Sequence, residues 1–133
     1  MIYLDTAALV KLVRVEAESQ ALVDWINGHA AEPLVASTLV EVELPRALRS
    51  GQPGVLGSVA GVLSRLHRVE INAAVRAAAA AYTEPMLRTL DAIHVATAEL
   101  LVASGKSLTA FVTYDKRLAD AAARTGLPVA APG

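Results

Sequence analysis

Residues 109–130 read TAFVTYDKRLADAAARTGLPVA, and this stretch decides the fold. TAFVTY is apolar, β-branched and aromatic, the composition of a buried strand. The apolar run stops at Asp115, and the residues from there to Thr125 are spaced as a helix. Gly126 ends that helix, because glycine accepts the left-handed conformation that closes a last turn. PVA then forms a second short strand. Two strands joined through a helix run parallel, since an antiparallel return needs only a tight turn.

The same alternation extends outward to the amino terminus. MIYLD is a short strand followed by a helix through ALVKLV, and Ala21, Leu22, Trp25 and Ile26 mark a second helix from Glu16 to about His29. LVAS is a strand, Thr38 to about Arg49 a helix, and GQPG a break. Residues 55–66 form an amphipathic helix, HRVEI a strand, and Asn72 caps an Ala-rich helix to about Thr83. Leu90 to Ser104 is the strongest helix, closed by Gly105. Strands alternating with helices predict an α/β fold, with a mainly parallel twisted sheet of about five short strands flanked by helices. No linker or repeat divides residues 1–133, so a single domain is expected.

With 133 residues the chain can bury one real core. The absence of cysteine excludes disulfides, thiolate catalysis and Cys-based zinc sites. A net charge of −1 gives no global support for nucleic-acid binding, leaving local pairs such as Arg46 with Arg49, Arg65 with Arg68, and Lys116 with Arg117. Each pair also reads as a solvated helix face, and the RNA-binding residues stay unassigned. No membrane span is expected, because AAVRAAAAAY is short and broken by Arg76. MIYLD lacks the basic start of a secretory signal.

Four acids stand where apolar segments meet the next turn or helix: Asp5, Glu43, Asp91 and Asp115. A carboxylate in such a setting tends to take up a proton unless a cation or hydrogen-bond donors favour its charge. Four together suggest an oxygen-rich cage for a hard divalent ion. Asp5 and Asp115 fall at carboxyl ends of strands, where α/β sheets bind ligands, although each also fits as a helix N-cap. Asp91 shares a helical stripe with Val95, Ala98 and Val102, and His94 lies one turn on, readable as a polar residue at a core margin or as a ligand. On a helix from Thr38, Glu43 falls in the apolar arc and Glu41 outside it. Pro45 predicts a kink or a fresh start.

Read in order, MIYLDTAALVKL, ASTLVEVELPRAL, LRTLDAIHVATAELL, FVTYDKRLADAA and GLPVAAPG resemble the PIN-domain ribonucleases, in particular the toxins of bacterial VapBC toxin–antitoxin pairs. The resemblance spans nearly the full length and places the family's acidic quartet on Asp5, Glu43, Asp91 and Asp115. It implies a metal-dependent endoribonuclease of the bacterial cytoplasm that hydrolyses RNA phosphodiester bonds and so inhibits translation. Mg2+, with Mn2+ as a substitute, would be held by Asp5 and Asp91, with Glu43 and Asp115 completing the cage and Thr6 and Thr113 supporting by hydrogen bonds. It also implies a small VapB-like antitoxin and a homodimer. The helices carrying Leu9, Leu12, Val13, Leu22, Trp25, Ile26, Val55, Leu56, Val59, Val62, Leu63 and Leu66 are expected to leave part of this apolar surface for those partners. The alternative is a catalytically inert PIN-fold protein-interaction module. A receiver domain would need a paired acid after the first strand, and a haloacid-type phosphatase an acid at Ala7.

Overall fold

The computed structural model describes residues 1–49, 51 and 53–133, the side chain of Pro53 excepted. Its strands are β1 (Ile2–Leu4), β2 (Leu34–Ser37), β3 (His67–Val69), β4 (Ala110–Val112) and β5 (Val129–Ala130). Every pairing is parallel, in the order β3-β2-β1-β4-β5. The chain builds outward from β1 to β3, then crosses back to add β4 and β5 on the other side. The direction of winding therefore reverses between β1 and β4, and a crevice opens beyond the carboxyl ends of strands at such a point. Leu4 pairs with Val112 there.

The helices are α1 (Thr6–Val13), α2 (Ser19–Asn27), α3 (Val40–Arg49), α4 (Val59–Ser64), α5 (Ala73–Ala81), α6 (Thr89–Ala103) and α7 (Lys116–Arg124). Alternation along each strand feeds two cores. Ile2, Leu4, Ala36 and Val112 pack with Leu9, Leu44 and Leu48 on one face. Tyr3, Val35 and Phe111 pack with Val95, Ala98 and Leu118 on the other. Burying such a side chain is worth roughly 1.5–3 kcal/mol, which lets strands this short hold a sheet. Gly105 and Gly126 close α6 and α7 with φ of 97° and 90°, and the next residues reach back to the carbonyls of Leu101 and Ala122.

Several expectations change in detail. Residues 55–66 are a 3-10 turn (Pro53–Ser58) followed by the short α4, since Gly54, Gly57 and Gly61 lower helix stability. Of the GQPG break, Gly51 is a turn, while Gln52 lies outside the described residues. Helix α2 begins at Ser19 because Glu16 and Glu18 are drawn to Lys11. Helix α3 starts two residues after Thr38 and runs unbroken through Pro45, so it does not begin anew there. The carbonyl that Pro45 leaves without an N–H is that of Glu41, an exposed residue. The twelve apolar residues picked out on the early helices all belong to, or pack against, the first core. Seven of them, Leu12, Val13, Trp25, Val55, Leu56, Val62 and Leu63, are only partly buried. The exposed large apolar residues are instead Val15, Val23, Val42, Met86, Leu90 and Val102, the last of these expected on the buried stripe of Asp91.

Candidate active site

Asp5 is the residue directly after the central strand, and Thr6 starts α1. One Asp5 oxygen caps α1 by accepting from the Ala8 N–H at 2.8 Å. The other accepts from the Thr113 hydroxyl. Thr113 Oγ1 in turn accepts from the Asp115 N–H at 3.1 Å, so this threonine ties the first acid to the last. Asp115 caps α7 with Oδ1 alone, which takes the N–H groups of Arg117 at 3.0 Å and Leu118 at 3.3 Å. Capping and site membership are therefore compatible. A carboxylate has two oxygens, and a cap uses one of them.

Glu43 enters from α3 and Asp91 from the first turn of α6. The helical phase separates the two neighbouring glutamates as their spacing predicts. Glu41 faces out and pairs with Arg68 at 3.1 Å, while Glu43 turns inward. Glu43 Oε1 accepts from the Thr6 hydroxyl at 2.6 Å and meets His94 Nε2 at 2.9 Å. The other ring nitrogen of His94 is 2.8 Å from the phenol oxygen of Tyr3. His94 is buried, not marginal, and its place beside Glu43 was undecided in the sequence. The one signal was its position a turn after Asp91. Tyr3, two residues before Asp5 and so on the same strand face, was not singled out at all.

Asp5, Thr6, Glu43, Asp91, His94 and Asp115 line one cavity of about 160 Å³. Larger hollows, of about 410 and 460 Å³, lie elsewhere and gather no acids. Chemistry and not volume marks the site. Burial pushes Asp5 up to about 6, against the opposing effects of His94, the Thr113 hydroxyl and the Ala8 N–H, with Asp115 adding to the rise. Partial burial and the charge of Asp115 raise Asp91 as well. Burial also works against the charge of Glu43, but hydrogen bonds from His94 and Thr6 outweigh it and hold its carboxyl below the ordinary value.

Among the described residues, no Lys or Arg lines the cavity. Nor do three acids or histidines stand close enough to form a ready-made metal-binding group. Like charges repel, and Asp5, Glu43 and Asp115 each turn toward a donor of the protein. The donor set is nonetheless all carboxylate and hydroxyl oxygen with one imidazole, which suits a hard divalent ion. Such an ion would relieve the strain that raises Asp5 and Asp91, and the residues present fit it. Of the basic pairs, Lys116 and Arg117 follow Asp115 directly. Arg46 joins Thr6 and Glu43 along a groove of about 370 Å³ whose walls include Val42 and Leu90.

The model of the PIN domain family matches residues 2–124. The chain belongs to the PIN-domain family. Within it the chain is of the VapC type. It is 53% identical over 133 residues to ribonuclease VapC35 of Mycobacterium tuberculosis, a match covering 100% of this chain and 98% of that one. Ribonuclease VapC47 of the same species is 39% identical over 136 residues, with 100% and 98% covered. The PIN fold itself superposes on the crystal structure of M. tuberculosis VapC20, described as a Sarcin-Ricin loop cleaving toxin. The TM-score is 0.70 at 18% identity, over 99% of this chain and 100% of that one. FitAB bound to an IR36 DNA fragment matches at a TM-score of 0.63 and 17% identity, over 99% and 95%. Among the described residues of this PIN domain, no helix is long and apolar enough to cross a membrane.

Proposed function

We propose that this VapC-type protein is a Mg2+-dependent endoribonuclease of the cytoplasm and the toxin of a toxin–antitoxin pair. The observation that carries the reading is the convergence of Asp5, Glu43, Asp91 and Asp115 on one cavity free of lining Lys or Arg. Asp5 and Asp91, the two acids whose pKa values are raised, would hold the ion, with Glu43 and Asp115 completing the cage and Mn2+ able to replace Mg2+. When bound, the ion supplies a water acidic enough to attack phosphorus and a positive charge for the phosphate. Thr113 fixes the angle of Asp5, and Thr6 fixes that of Glu43. Lys116 and Arg117, which follow Asp115 in sequence, and Arg46, in the groove that Thr6 and Glu43 also line, can take neighbouring phosphates of an RNA strand. Attack by water leaves a 5′-phosphate and a 3′-hydroxyl.

The partners follow from the same surface. A small antitoxin fits the groove beside Glu43, where Val42 and Leu90 are exposed. A homodimer is part of the proposal as well. The test is cleavage of a mixed cellular RNA pool with Mg2+, with chelator and by Asp5→Asn, together with sedimentation of the purified chain. Cleavage that persists in chelator or in Asp5→Asn overturns the metal reading. A clean preparation with no cleavage under any condition favours an inert interaction module.

A further inference from the structure

His94 is 2% exposed and its two ring nitrogens face different partners, Tyr3 on Nδ1 and Glu43 on Nε2. Tyr3 is wholly buried, its ring stacked on Phe111 at 5.0 Å and edge-on to the imidazole at 5.9 Å. The Glu43 carboxylate can only accept, which puts the imidazole proton on Nε2 and leaves Nδ1 to accept the Tyr3 O–H. Nε2–H then donates to Glu43. Both recorded bonds of Glu43, from His94 and from Thr6, fall on Oε1. Among the described residues Oε2 has no hydrogen-bond partner, and Glu43 lines the acidic cavity.

We propose that His94 is a positioning residue for this site. Tyr3 selects the Nε2–H tautomer, and that N–H, with Thr6, holds Glu43 by one oxygen so that the other is offered to the site's cation. A free glutamate side chain has three rotatable bonds, and fixing it in advance removes part of the entropy that cation binding must otherwise overcome. A hydrogen bond that orients a ligand in this way commonly changes metal affinity about 10- to 100-fold. The inference rests on the metal-dependent reading above and adds a role for two residues outside the acidic quartet.

The experiment has two readouts on the full chain. The first is the proton–nitrogen correlation pattern of 15N-labelled histidine in chelator, at a pH where free histidine is neutral. Wild type should show His94 as the Nε2–H tautomer, and Tyr3→Phe, which keeps the ring and its stacking, should admit the Nδ1–H form. The second is Mn2+ binding followed by electron paramagnetic resonance. Tyr3→Phe should weaken it several-fold, and His94→Asn, whose amide reaches only the Nδ1 position, should weaken it by about 10- to 100-fold. His94→Gln, whose amide N–H can replace Nε2–H, should restore most of the loss. A wild-type Nδ1–H tautomer or imidazolium overturns the proposal. So does Mn2+ affinity unchanged in folded Tyr3→Phe and His94→Asn. If wild type itself fails to bind Mn2+, the metal reading falls first, whereas normal wild-type binding with indifferent variants removes only the role given to His94.

Discussion

The β1–α1 and β4–α7 junctions are neighbours across the sheet, and each passes from strand to helix through an aspartate that caps the helix. At the first, Asp5 follows Leu4 directly and is 2% exposed. At the second, Thr113 and Tyr114 intervene between the strand and Asp115, which reaches the surface. Burial pushes the pKa of Asp5 up to about 6. The local code is the same at both places. Depth in the sheet makes Asp5 costly to ionise without a cation. Thr113 joins the two, donating to Asp5 and accepting from the Asp115 backbone.

The sharpest way to break this comparison is activity. Asp5→Asn removes a charge from the buried end and should lower kcat/KM on RNA by about a thousandfold, several kcal/mol of lost transition-state stabilisation. Asp115→Asn, at the exposed end, should cost about tenfold, or some 1.4 kcal/mol. Equal losses would mean that depth does not rank the two ligands.

The pH dependence of stability comes next. Asp5 has a folded pKa near 6, above its ordinary 3.8. A raised carboxyl pKa favours the folded state at low pH, and that contribution is lost as pH rises through about 6. The total is about 3 kcal/mol, at 1.36 kcal/mol per unit. About half of it falls between pH 5 and pH 8. In chelator, wild type should therefore lose stability over that range, and Asp5→Asn should lose less. Denaturant midpoints at the two pH values measure this, and parallel behaviour of wild type and Asp5→Asn would refute the burial argument.

Divalent cation should act in the opposite sense. Mn2+ at a hundred times its Kd should stabilise wild type by about 2.7 kcal/mol, seen as a higher Tm. Asp5→Asn should lose most of that rise and Asp115→Asn a smaller part. An identical Tm rise in all three proteins would place the ion elsewhere.

The contrast also explains what could be read in advance. The order of strands and helices was legible because Asp5, Asn72, Gly105 and Gly126 punctuate the chain through local chemistry. The phase of α3 separated Glu43 from Glu41, and Pro45 did not start the helix anew. What stayed hidden depends on contacts distant in sequence. Tyr3 meets His94 across 91 positions. No short window of sequence contains that pair.

The smallest effect isolates the cap from the charge. Asp115 accepts two backbone N–H groups through a single oxygen. Asn carries the same oxygen and is an equally good cap, whereas Ala has none, and losing a cap of this kind costs about 1 kcal/mol. In chelator, Asp115→Asn should therefore keep the wild-type midpoint, and Asp115→Ala should fall below it by about 1 kcal/mol. In Mn2+ the two variants should show the same deficit in metal stabilisation, since both have lost the charge. If Asp115→Ala is as stable as Asp115→Asn, the bonds to Arg117 and Leu118 hold little energy, and the carboxylate stands at this junction for the cavity alone.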